Sequence, residues 1–358
     1  MEDQGRFILS RKAAIAQHDF CKRIADIVSY SYKTNTHVGK IVEEETDCML
    51  TVHMHETLGL ISDMGRVWFC AQGWDADEIK RLVSQGIRNF IIDNIQDLDL
   101  LLDALDGIMH ADEQKLDEQK LDEKLNLLLR MRLKENTIHT GKYYVFGMYS
   151  EQINRLIPEL RKNKNIGMLG VHFHRKTQNI SEWSLKAELE QCLSDTTLDA
   201  IDLLNIGGGM PVRYKNYRAG VMEHILGKIK ELREWLNSRK IQMMIEPGRF
   251  IAAPAARLET EIKCIYDDNI IVNCSVYNSA MDTIVANIRL LIEGELPDGK
   301  GKAYTVKGST PCSMDIFRYR AFLEEPRVGD KIVFLNAGAY NFTTDFCNLT
   351  KPETVIVD

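Results

Sequence analysis

Four short stretches of this 358-residue chain hold residue types that can do chemistry together. Lys33 stands in YSYKTN, His174 in GVHFH, Gly207, Gly208 and Gly209 in NIGGGMP, and Glu246, Gly248 and Arg249 in IEPGRF. A lysine amine in a partly apolar setting loses its proton more readily and can form an imine with an aldehyde. Successive glycines let backbone N–H groups approach a phosphate closely, because no Cβ intervenes. An arginine adds charge to such a site. An imidazole can lie flat against an aromatic ring, and a carboxylate can hold a ring nitrogen protonated. The set suits a phosphorylated aromatic aldehyde with a ring nitrogen, which describes pyridoxal 5′-phosphate (PLP). Each stretch also has a plainer reading: a surface lysine, a tight glycine turn, a core histidine, a glutamate capping the next helix.

What must position these residues is a set of short apolar runs, each followed by a helical pattern. The runs fall at about 27–32, 48–53, 67–71, 89–94, 127–133, 168–174, 203–209 and 242–247. Between them lie helical stretches such as DADEIKRLVSQG and SEQINRLIPELRK. Eight strands alternating with helices predict an α/β fold, a parallel sheet closed into a (β/α)₈ barrel of the TIM type. Reactive groups in such a barrel gather at the carboxyl ends of the strands. All four stretches fall there, and their shared placement argues more strongly than any one of them. From about residue 251 the rhythm changes to strand-like pieces (IIVNCSVY, KAYTVKG, KIVFLNAGAY, ETVIVD) with few long helices. The chain therefore divides into a barrel over 1–250 and a mostly antiparallel β-domain over 251–358. The DEQKL repeat in 110–126 reads as a solvated surface insertion, because its leucine spacing drifts around a helix.

Composition narrows the function classes. Hydrophobic residues make up 44% and charged residues 27%, ordinary values for a soluble protein. No apolar run reaches the roughly 18 residues of a membrane span, and the acidic N-terminus does not resemble a signal peptide, so no membrane association and a cytoplasmic location are expected. A net charge of −7 disfavours nucleic acid as a partner. The eight cysteines are scattered, with none at CxxC spacing, which fits reduced thiols and predicts no metal site.

The motifs resemble those of the fold-type III PLP enzymes, and within them the ornithine/diaminopimelate/arginine decarboxylase family. YSYKTN is similar to the family's Y-x-x-K-x-N, GVHFH to its H-F-H strand, NIGGGMP to its G-G-G-F-P loop, and EPGRF to its E-P-G-R-Y. TPCSMD resembles its C-x-x-x-D segment, and NAGAYNF its G-A-Y turn. LRMRL followed by KYYVFGM resembles its L-R-I … K-F-G-I stretch. The likeness runs in order from about Arg6 to Asp358. It implies an alanine-racemase-like barrel with a C-terminal β-domain and an obligate homodimer whose active sites are shared across the interface. Lys33 would carry PLP as a Schiff base. His174 would stack on the ring, Glu246 bind its nitrogen and Arg130 support it. Gly207 to Gly209, Gly248, Arg249 and Tyr340 would hold the phosphate, with Thr177 helping. Cys312 would reach the site from the other subunit and protonate the carbon left when CO₂ departs. A carboxylate at the ring nitrogen favours decarboxylation over racemisation, since barrel racemases place an arginine there.

Three departures bear on the substrate. The run after HFH is Arg175-Lys176-Thr177, so two cations stand where the family has small residues. They are candidates for the phosphate, a substrate carboxylate or solvent. Ser313 occupies the place of the acid that pairs with a distal ammonium, and Asp315 is the candidate replacement. After the second run the family's small residues are replaced by His53-Met54-His55-Glu56, an H-x-H pair that would point to one face of a strand. The expected reaction is decarboxylation of a basic or diamino acid of the arginine, ornithine and lysine class, as in polyamine biosynthesis. Diaminopimelate, carboxynorspermidine or a siderophore precursor are alternative substrates. A non-catalytic regulatory relative is the alternative of another class.

Overall fold

The computed structural model describes residues 4–113, 124–133, 145–217, 220–341, 344 and 346–358. Most of the DEQKL repeat and the start of KYYVFGM lie outside these residues. Strand β1 (Arg6–Ser10) belongs to a second sheet. Strands β2 (Ile27–Ser31), β3 (Met49–Val52), β4 (Val67–Ala71), β5 (Asn89–Ile92), β6 (Leu125–Arg130), β7 (Ile166–His172), β8 (Leu203–Asn205) and β9 (Gln242–Ile245) form a closed, all-parallel barrel. It closes where β2 meets β9, with Ile27 opposite Met244 and Val28 opposite Ile245. Every apolar run is a strand. The seventh is cut to Leu203–Asn205, because the glycines after it turn away from the ladder, Gly207 at φ 66° and Gly209 at φ 97°.

Side chains on a strand alternate between faces. Ile27, Met49, Trp68, Ile91, Leu128, Met168, Leu203 and Met244 pack together inside the barrel. Their neighbours, among them Val28, Leu50, Phe69, Leu127 and Ile245, belong to the larger core between strands and helices. Two apolar faces explain why the strands read as near-continuous apolar runs.

The second sheet contains β10 (Ala256–Tyr266), β11 (Asn269–Val272), β12 (Leu291–Ile292), β13 (Lys302–Lys307), β14 (Ile316–Leu323), β15 (Lys331–Leu335) and β16 (Glu353–Val357). Its path is β12-β15-β10-β11-β13-β14, with β1 against β10 and β16 against β1. The pairings are antiparallel except β11 with β13 and β1 with β16. The N-terminal strand of the stretch read as barrel is thus a member of the second sheet. Arg6 lies opposite Glu259 in the register and pairs with its carboxylate at 3.2 Å. Among the described residues no helix is long and apolar enough to cross a membrane.

Candidate active site

Following the inward face of each strand toward its carboxyl end, the apolar filling gives way to polar groups. Ser31 and then Lys33 follow on β2, and His53 follows β3. Cys70 is the last inward-facing residue of β4, Asp93 follows β5, Arg130 ends β6, His172 ends β7 with His174 beyond it, and Glu246 follows β9. These residues line one cavity of about 510 Å³ at the barrel mouth, together with Met54, Gln72, Phe146, Thr177, Gly208, Gly209, Gly248, Arg249 and Tyr340.

Lys33 sits on the single turn Tyr32–Thr34, its side chain open to the cavity. The turn is fixed from three sides. Asn35 caps the following helix through Oδ1, accepting from the N–H groups of His37 and Val38, and donates from Nδ2 to the Gly338 carbonyl at 3.0 Å. Tyr340 N–H donates to the Thr34 carbonyl at 3.2 Å, which ties the turn to the second sheet's NAGAY loop. Gly248 lies so near that a Cβ there would meet Thr34 Oγ1 at 2.1 Å. Nζ lies 3.2 Å from His53 Nε2. Burial in the recess lowers the lysine's proton affinity, with Arg130's charge acting the same way and Glu246 against it.

Glu246 is buried beneath this mouth. Its Oε1 accepts from Asn205 Nδ2 at 2.8 Å and from Thr51 Oγ1 at 3.1 Å, while Oε2 lies 3.4 Å from His172 Nε2. Burial alone would raise its pKa. His172, whose Nε2 faces Oε2, and the bond from Asn205 hold it well below the usual carboxylate range. Arg130 is anchored to Asp93 at 2.8 Å and lies over the Phe146 ring at 5.0 Å. Gly208 N–H donates to His174 Nδ1 at 3.2 Å, and enclosure by the surrounding protein pushes His174 down to about 3, though its ring stays open to the cavity. Arg249 donates from Nε to Thr177 Oγ1 at 3.1 Å and lies over the Tyr340 ring at 5.1 Å. Its charge is met by Asp282, through NH2 to Oδ1 at 3.1 Å and a second contact to Oδ2.

A family model described as pyridoxal-dependent decarboxylase, pyridoxal binding domain, matches residues 11–253. The chain belongs to this family of pyridoxal-dependent decarboxylases. A diaminopimelate decarboxylase of Aquifex aeolicus is 23% identical over 293 residues, 77% of this chain and 66% of that protein. Two solved structures share the fold. The lysine/ornithine decarboxylase of Vibrio vulnificus, complexed with putrescine, has a TM-score of 0.75 at 19% identity, covering 99% of this chain and 94% of that one. The diaminopimelate decarboxylase of M. jannaschi has a TM-score of 0.80 at 17% identity, covering 98% and 86%.

The decarboxylase's cofactor is PLP, and the mouth fits it. A Cβ at Gly208 would meet the Glu246 carbonyl at 2.6 Å, and one at Gly207 the Phe173 carbonyl at 2.6 Å. The glycine loop is therefore pressed against the strand ends, with bare backbone at the cavity wall. A buried carboxylate, Glu246, and the Lys33 amine share that cavity.

Other expected residues lie elsewhere. Arg175 is buried and turned away, pairing with Glu188 and donating to the Glu182 carbonyl at 3.2 Å. Lys176 Nζ pairs with Glu182 at 3.7 Å, so neither cation is among the cavity's lining. Asp315 is buried in the second sheet, where its carboxylate accepts from Val276 N–H at 2.8 Å, Thr310 N–H at 2.9 Å and Thr310 Oγ1 at 2.6 Å. It holds its own loop and has no free face for a substrate ammonium. Cys312 is half-buried and Ser313 exposed on that loop, and neither lines this chain's own cavity. The H-x-H pair is split. Strand β3 ends at Val52, and His55 opens a short helix and bonds Glu78 outside the mouth.

The residue-by-residue reading missed His172, Thr51, Asn205, Asp93 and Asp282. A signal existed for His172: it is two residues before His174 on one strand, hence on the same face.

Proposed function

We propose that this decarboxylase removes the α-carboxylate of a basic or diamino acid of the arginine, ornithine and lysine class, releasing an amine and CO₂. The observation that carries the reading is Glu246, a buried carboxylate held low in pKa by its neighbours, in the same cavity as Lys33. Bound PLP supplies an electron sink for the charge left when CO₂ departs. Glu246 holds the ring-nitrogen proton that keeps the sink strong, Lys33 carries the cofactor, and His174 and Arg130 fix the ring. Gly207 to Gly209, Gly248, Thr177 and Tyr340 shape the phosphate site. Arg249 organises Thr177 and Tyr340 there, because Asp282 already matches its charge. Cys312 returns a proton to substrate from a second copy of the chain in a homodimer. Free thiols at Cys21, Cys48, Cys70, Cys192, Cys264, Cys274 and Cys312 suit a cytoplasmic setting.

Diaminopimelate is the second reading, favoured by the name of the Aquifex relative. Asp315 is buried and fully engaged and Ser313 is neutral, so under either reading neither supplies an acid to a distal ammonium. CO₂ release measured across arginine, ornithine, lysine, diaminopimelate and carboxynorspermidine separates these. Turnover of a simple basic amino acid is expected. Release from diaminopimelate alone selects the second reading, and no release from any sinks both.

A further inference from the structure

We propose that His53 is the proton-exchange partner of Lys33, taking a proton from the lysine ammonium to free the amine that captures the cofactor, and returning it when the amine departs. This deepens the reading of Lys33 as the cofactor-bearing amine and rests on it.

Nε2 of His53 lies 3.2 Å from Lys33 Nζ, within hydrogen-bond reach of the reacting atom. Such a bond needs one donor and one acceptor, and a neutral imidazole has a single N–H to place. In most functional histidines the other ring nitrogen is held by a fixed partner, which sets the tautomer. Here Nδ1 is buried with no hydrogen-bond partner, so nothing commits the ring. Nε2 can accept from the ammonium or donate to the amine. In the transfer the Nζ–H bond breaks, an Nε2–H bond forms and the positive charge moves from lysine to imidazole. No other reactant is needed.

The other groups facing the pair are poor candidates. Cys70 is pushed up to about 12 by burial and stays a thiol. Glu246 is held ionised and spends Oε1 on Thr51 and Asn205. Arg130 is bound to Asp93. His174 accepts from Gly208 N–H, and His172 faces Glu246. His53 itself is pushed down to about 4 by burial and by the lysine's charge, so its resting form is the neutral ring, free to accept a proton.

The test follows capture of added PLP by the full chain stripped of cofactor, by absorbance and by borohydride fixation to Lys33, in His53→Ala and His53→Gln. Capture near neutral pH is expected to slow about 10²-fold in both variants, the lower end for loss of a general base, with final PLP content unchanged. Imidazole in solution should restore the rate of His53→Ala in proportion to its free base, and should not affect wild type. His53→Gln keeps a hydrogen-bonding group but cannot carry a proton, so wild-type capture in that variant overturns the proposal. Slow capture in His53→Ala that imidazole does not restore overturns it equally. A wild-type chain that takes up no PLP sinks the cofactor reading of Lys33 as well.

Discussion

At the scale of single residues, the mouth places groups whose protonation is set by their surroundings, and acid stability should report it. His53 is lowered from 6.5 to about 4 by burial first and by Lys33 second. Between those values the unfolded chain binds more protons than the folded one, so stability rises with pH and is lost as pH falls from 6.5. Glu246 is depressed from 4.5, burial being outweighed by His172 and Asn205. Its contribution is complete above 4.5 and is lost only below that. The two groups therefore act in different windows. Urea unfolding of the cofactor-free chain as a function of pH should show a slope shallower by up to one proton between pH 6.5 and 4 in His53→Gln. In Glu246→Gln the slope should flatten only below 4.5. An unchanged slope in His53→Gln would mean that its ring is not held neutral in the folded chain.

At the scale of elements, two glycines separate barrel geometry from helix propensity. Gly170 lies within β7, where a Cβ would meet the Leu203 carbonyl oxygen at 2.0 Å and Leu128 Cδ2 at 2.7 Å. That oxygen belongs to the neighbouring strand and cannot yield without opening the β7–β8 ladder. Gly170→Ala should cost about 3 kcal/mol or more, the upper end for overpacking. Gly227 sits in the helix Val221–Ser238 with nothing within 4 Å of its Cβ position. Gly227→Ala should stabilise by about 0.5–1 kcal/mol, because the unfolded chain loses freedom and the helix gains a better former. Urea midpoints of both variants check the pair, and equal shifts would contradict it. The eight barrel strands were legible because each is apolar on both faces, and the mouth because its residues follow strand ends. The same alternation carried one step further would have marked Asp93, His53 and His172 as inward-facing. Strand β1 was not legible, since its partner Glu259 lies far along the chain. The fates of Arg175 and Asp315 were hidden for a different reason: Glu182, Glu188 and Thr310 are near in sequence, but which way each side chain turns is decided only when the loop folds, with Val276 brought in from farther away.

At the scale of the whole molecule, Cys312 poses a question of assembly. It stands between β13 and β14 on a loop pinned by Asp315, and it does not line the cavity of its own chain. Asp315 accepts from Val276 and Thr310, and a Cβ at Gly308 would meet its Oδ1 at 2.0 Å, so the loop is tightly seated and unsuited to a long swing toward Lys33. If the thiol serves catalysis, a second copy must present it. A two-fold interface does this symmetrically, each chain giving Lys33 to one site and Cys312 to the other. Lys33→Ala and Cys312→Ala, each inactive or nearly so alone, should then regain activity when unfolded together and refolded as a mixture. Random assortment makes half of the dimers mixed, and each mixed dimer has one site with both residues intact, so about a quarter of wild-type activity is expected. Sites contained within single chains would give no recovery, because every site would still lack one of the two residues. Recovery that disappears on dilution below the dimer's dissociation constant would tie the activity to the interface itself.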